Sequence, residues 1–188
     1  MVVLSKTKKI AGIVLAGGNS RRFGEDKALY RKTSDAQTWV EQTANKILPV
    51  VDHVFIVTNR GLFTSIDSLF NDSNITVLSD QEPFLDKGPL GGIYAVMSNT
   101  KYEYYLLTPT DTPQITTAIF AELIHQGNAY AATENAEHYL TACIPYCKNE
   151  TQALLNSGNL RIRQLLQTIN TQKYMFPNES PFQNENYK

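Results

Sequence analysis

The sequence predicts an α/β fold, because short apolar segments of strand length alternate with segments of helical periodicity along the chain, and the first apolar run stops at a Gly-Gly pair followed by cations. At 188 residues, with 42% hydrophobic and 19% charged content, the chain suits one domain over residues 1–188 with a sizeable core. Right-handed crossovers between parallel strands put helices on both faces of a mostly parallel sheet, giving three αβα layers. Ligands of such sheets bind outside the carboxyl ends of the strands.

The elements follow in order. Ile10 to Ala16 is a continuous apolar run ended by glycine, as expected of a strand covered on both faces. Thr38 to Leu48 reads as a helix in which Thr38 is the N-cap and Glu41 completes a capping box. Trp39, Val40, Ile47 and Leu48 form its apolar face, which makes Trp39 a core residue. His53 to Thr58, Ile75 to Leu78, Tyr104 to Thr108, Ala129 to Thr133 and Leu140 to Tyr146 are the further strands. The further helices are Leu62 to Phe70, Leu90 to Asn99, Thr116 to Gln126, Thr151 to Asn156 and Leu160 to Ile169.

Composition narrows the function classes. The net charge is −1 with dispersed basic residues, so the electrostatic footprint of a nucleic-acid binder is missing. No apolar run reaches the roughly 18 residues of a membrane span, and MVVLSKTKK is too short in apolar residues for a signal peptide. A cytoplasmic protein with a small substrate is expected, without membrane or nucleic-acid partners. Cys143 and Cys147 lie in a strand-like segment with no second pair or histidine cluster, and read as reduced, buried thiols rather than a redox or metal pair.

Three strand ends carry unusual chemistry. After the first strand comes LAGGNSRRFGEDK, residues 15–27, where Gly17 and Gly18 let backbone N–H groups approach an anion, with Arg21, Arg22 and Lys27 close by. The segment lacks the Gly-Lys-Ser/Thr of a P-loop and the G-x-G-x-x-G of a dinucleotide fingerprint. It suits a polyphosphate, or else is an ordinary strand-to-helix turn with solvated arginines. After the third strand come Asp80 and then Lys87-Gly88-Pro89-Leu90-Gly91-Gly92, whose glycines allow close approach to a base or ribose, or merely start a helix. After the fourth strand, Pro109-Thr110-Asp111-Thr112-Pro113 holds a carboxylate between two prolines, a ligand for Mg²⁺ or a helix cap.

LAGGNSRRFGEDKA, then GPLGGI, then TDTP, then Phe182-x-Asn184-x-Asn186, in this order, resembles the molybdenum cofactor guanylyltransferases within the larger group of Gly-rich nucleotidyltransferases. The resemblance runs from Ile10 to about Asn186. It implies a Rossmann-like sheet of the nucleotide-diphospho-sugar transferase type, with GTP and molybdenum-molybdopterin as substrates. The backbone of Leu15, Ala16, Gly17 and Gly18, with Arg22, would hold the nucleotide. Lys27 would sit against the phosphates, and Asp80 would contact guanine, whose N1–H and N2–H₂ are donors to a carboxylate. Gly88, Pro89, Leu90 and Gly91 would complete the base pocket. Asp111 would bind Mg²⁺, or Mn²⁺ in its place, and Lys27 and Asp111 would be the catalytic pair. Asn184 and Asn186 would lie on the pterin side.

The implied reaction is attack of the terminal phosphate of molybdopterin on the α-phosphorus of GTP, with pyrophosphate leaving. An incoming phosphate is already anionic, so electrostatics rather than a general base should drive the step. Transient contacts with molybdopterin-inserting and acceptor proteins are implied as well. A molybdopterin cytidylyltransferase, another small-molecule nucleotidyltransferase, and a non-catalytic nucleotide-binding regulatory protein are the alternatives. Two departures stand out: Arg31 to Gln37 contains no glycine turn, and His138-Tyr139-Leu140 stands where relatives often carry a proline.

Overall fold

The computed structural model describes residues 8–17 and 26–184. Seven strands form one sheet in the order β3-β2-β1-β4-β6-β5-β7. β1 (Ile10–Leu15), β2 (His53–Thr58), β3 (Ile75–Ser79) and β4 (Tyr104–Pro109) run parallel, β6 (Glu137–Pro145) runs against β4 and β5 (Ala129–Ala132), and β7 (Gln172–Met175) returns parallel to β5.

Strand alternation distributes the core over two faces. Val54 and Ile56 of β2 face α1 (Trp39–Ile47), α2 (Phe63–Asp67) and α4 (Thr117–Gln126), whereas Phe55 and Val57 face α3 (Gly88–Asn99), α5 (Lys148–Asn156) and α6 (Ile162–Thr168). Burial on both sides explains why β1 and β2 are continuous apolar runs rather than alternating ones. Among the described residues no helix is long and apolar enough to cross a membrane.

Strand β1 lies where the winding of the sheet reverses. The chain adds β2 and β3 on one side of β1, then crosses back to lay β4 on the other. Leu15 is level with Val57 on one side and Pro109 on the other, and Thr58 is level with Ser79. The segments leaving four strands therefore emerge along one edge, with a crevice beside β1.

The boundaries differ from expectation where local chemistry overrides periodicity. α2 is confined to Phe63–Asp67, and α3 starts at Gly88 because Pro89 is preorganised for a first helical turn. At Gly92 the helix packs closely on β2, since a Cβ there would meet Val57 Cγ1 at 2.7 Å. β6 begins at Glu137, before Leu140, and β7 was not anticipated, since QKYM is short and mostly exposed and carries no apolar alternation. The pairing of β6 with β4 stops at Leu107–Ala142, and its pairing with β5 slips between Tyr130 and Ala131, so residues 139–141 leave both ladders.

Both cysteines are buried free thiols, and burial pushes each thiol up to about 12. Neither is a thiolate near neutral pH.

The capping box of α1 is present in full. Thr38 N–H donates to Glu41 Oε2 at 2.8 Å, and Glu41 N–H donates to Thr38 Oγ1 at 3.3 Å. Thr38→Ala should therefore destabilise the protein by about 1 kcal/mol. The check is the urea midpoint of unfolding, which should fall with the m-value unchanged.

Candidate functional site

A cleft of about 400 Å³ opens at the carboxyl edge, within the usual range for small-molecule sites. Leu15, Ala16 and Gly17 at the end of β1 form one part of its wall, Thr58 and Asn59 at the end of β2 another, and Asp80 after β3 a third. Thr110 and Asp111 after β4, Lys27 from its 3-10 turn, and Gly88 and Pro89 at the start of α3 complete it. The winding reversal thus brings together eight of the residues singled out from sequence.

Short backbone ties hold the strand ends in register. Ala16 N–H donates to Val57 O at 2.8 Å, and Asp80 N–H donates to Thr58 O at 3.2 Å. Lys27 belongs to the 3-10 turn Lys27–Leu29, whose Ala28 is buried against the core. That turn is fixed by Tyr30, whose carbonyl accepts from Trp39 N–H at 3.1 Å and whose ring meets the Trp39 ring edge-on at 5.0 Å. Trp39 is buried, as a core residue should be.

Asp111 is held from both flanks. Thr110 and Thr112 are buried beside it, and Ile115 N–H closes a turn onto Thr112 O at 3.1 Å. The next residues are tied to the end of α1, where Lys46 donates to the Pro113 carbonyl and Thr117 Oγ1 donates to Lys46 O at 2.9 Å. Burial raises the Asp111 carboxyl above its ordinary value, opposed by the positive charge of Lys27 and by the residue's own N–H. Desolvation prevails, so the cleft is a costly place for this charge. A divalent cation would relieve that cost: a hard oxygen donor beside a phosphate-sized cleft fits an ion of the Mg²⁺ class, which binds one or two carboxylates together with substrate phosphates.

Burial also raises the Asp80 carboxyl. The Asp86 backbone N–H and the Arg60 guanidinium favour its charged form, while the Asp86 carboxylate opposes it.

The remaining expectations separate. Leu90 does not face the cleft; its side chain is fully buried among Ile93, Val96 and Leu107. Gly91 turns inward too, since a Cβ would meet the Phe84 carbonyl at 3.0 Å. Leu90 and Gly91 serve helix packing, whereas Gly88, Pro89 and Gly92 of α3 line the cleft. Asn184 is exposed and is not among the residues lining the cleft. It follows Phe182, which is anchored by a stack on His138 at 4.6 Å, and strand β6 also sends Leu140 to the cleft wall. Gly18, Arg21, Arg22 and Asn186 lie outside the described residues.

Sequence reasoning missed Thr58, Asn59, Asp86, Thr110 and Leu140 as cleft residues. The rule that ligands lie beyond strand ends, applied to β2, would have found the first two.

A family description, MobA-like NTP transferase domain, matches residues 12–173. A Bacillus cytotoxicus protein named "Probable molybdenum cofactor guanylyltransferase" is 28% identical over 84% of this chain and 72% of its own length. Among solved structures, an Aquifex aeolicus protein superposes with a TM-score of 0.73 at 22% identity, covering 97% of each chain. The 4-diphosphocytidyl-2C-methyl-D-erythritol synthase of Anaerococcus prevotii superposes with a TM-score of 0.67 at 12% identity, covering 96% of this chain and 92% of the other.

The raised Asp111 carboxyl has a consequence for stability with a definite sign. The folded chain holds this proton more tightly than the unfolded chain, so ionisation lowers stability as pH rises through the raised value. Asp111→Asn removes that loss. Its urea midpoint relative to the unchanged chain should be least favourable below the ordinary aspartate range, rise through the raised value, and level off above it. A difference that is constant with pH would contradict the shift.

Proposed function

The chain belongs to the MobA-like NTP transferase domain family, and we propose that it transfers GMP from GTP to the terminal phosphate of molybdenum-molybdopterin, releasing pyrophosphate. The observation that carries this reading is the meeting of Ala16 and Gly17 after β1, Lys27, Asp80 and Asp111 in one cleft at the winding reversal. The name of the Bacillus cytotoxicus relative supports the choice of substrates.

In this reading the β1 loop and Lys27 hold the phosphates, while Asp80 accepts hydrogens from the guanine edge. An oxygen of the acceptor phosphate forms a bond to the α-phosphorus of GTP, the bond from that phosphorus to the β-phosphate bridging oxygen breaks, and its electron pair leaves with pyrophosphate. Two anions must approach one another and charge builds on the leaving group, so fixed positive charge and oriented N–H groups lower the barrier. Lys27 supplies the positive charge from a turn fixed by Ala28 and Tyr30. Asp111 would hold Mg²⁺, or Mn²⁺ in its place, which when bound neutralises phosphate charge and orients the reacting oxygens. Asn184, with Asn186, serves the pterin side, and Phe182 anchors that segment to β6 beside the cleft wall.

The test is Mg²⁺-dependent pyrophosphate release from GTP and, separately, CTP with molybdenum-loaded molybdopterin as acceptor. Release with GTP supports the proposal. Release with CTP alone moves the chain to cytidylyl transfer, and nucleotide binding without release makes it a non-catalytic binder. Lys27→Ala and Asp111→Ala should each lower turnover at least about a hundredfold while circular dichroism stays unchanged. Near-normal Mg²⁺-dependent turnover of Asp111→Ala would overturn the role given to that carboxylate.

A further inference from the structure

We propose that Asp86 is the second carboxylate of a base-selecting pair with Asp80, and that the pair prefers guanine because guanine presents three hydrogens along one edge. The inference rests on the reading of the cleft as the nucleotide site.

Asp80 alone discriminates poorly, since the N4 amino group of cytosine and the N6 amino group of adenine also donate to a carboxylate. Asp86 lines the same cleft, next to Gly88 and Pro89. Its backbone is left-handed, with φ 53°, and Gly88 follows with φ 61°. A non-glycine residue adopts that conformation at a cost, and aspartate bears it better than most. The turn returns Asp86 to the cleft that Asp80 lines, where the Asp86 carboxylate opposes the charge on Asp80. The Asp86 residue itself is exposed.

This arrangement gives acceptors in excess of donors. Guanine resolves the imbalance: N1–H and one N2 hydrogen suit a single carboxylate, and the second N2 hydrogen is left for its neighbour. Cytosine brings an amino group next to the N3 lone pair, and adenine an amino group next to the N1 lone pair. Either base turns a lone pair towards one of two anions. Uracil offers one N3–H between two carbonyl oxygens. A site of paired acceptors rejects a base that turns a lone pair to it more strongly than it would reject the loss of one hydrogen bond.

The experiment measures dissociation constants for GTP and CTP with Mg²⁺ by titration calorimetry, using the full chain, Asp86→Asn and Asp86→Gly. Asparagine and glycine both accept the left-handed backbone, so each removes the charge without adding strain. The preference for GTP over CTP should fall about tenfold in both variants, through weaker GTP binding. An unchanged preference in both variants overturns the inference, as does an equal loss for both nucleotides, which marks a structural role. If the unchanged chain binds neither nucleotide, the reading of the cleft fails and the inference with it; if it binds GTP with its preference insensitive to Asp86, the inference alone fails.

Discussion

The pairing of β1 with both β2 and β4 is the constraint on which the rest of the site depends. Because Leu15 is level with Val57 and with Pro109, whatever follows β1, β2 and β4 must leave the sheet at one height. A slip of one residue in either ladder would turn Val14 or Leu106 out of the face that buries them. The core therefore enforces the register, and the register sets Gly17, Thr58 and Asp111 at one edge of the sheet. Under the proposed function, phosphate binding and metal binding would thereby be tied to hydrophobic packing. The departure of β6 from β4 beyond Leu107 is part of the same geometry, since it lets Leu140 close the cleft from the antiparallel side.

The site stores a cost that the fold carries. Asp111 and Asp80 are each held where burial disfavours their charge, and Lys27 and the Asp111 N–H offset this for Asp111 only in part. Functional clefts commonly hold such groups because the ligand supplies what the empty site lacks. Under the proposed function a cation and a polyphosphate would do so for Asp111 and Lys27, and base hydrogens for Asp80. The same logic separates the cysteines from function: burial keeps Cys143 and Cys147 as neutral thiols with no charge to deploy.

Much of this was legible in the sequence, for identifiable reasons. β2 spans His53 to Thr58 as read, because a doubly covered parallel strand leaves an unbroken apolar run with sharp polar ends. The Thr38–Glu41 box was legible because capping is local chemistry. β7 was not, because Gln172–Met175 is stabilised by its ladder with β5 and carries no apolar pattern of its own. In GPLGG, glycine chemistry alone could not separate Gly88, which meets the cleft, from Gly91, which meets the Phe84 carbonyl. Asp86 was silent because an acidic residue in a polar loop looks like any other until the backbone turn sets it against Asp80.

Under the proposed function, one cleft at the winding reversal holds both the nucleotide phosphates and the ion that accompanies them. Anomalous diffraction from crystals grown with Mn²⁺ and a non-hydrolysable GTP analogue tests it most directly. The account predicts a manganese peak at the Asp111 carboxylate, shared with phosphate oxygens lying over Gly17 and within reach of Lys27. A manganese peak bound elsewhere, or phosphates seated away from the end of β1 with Asp111 bare, would contradict it.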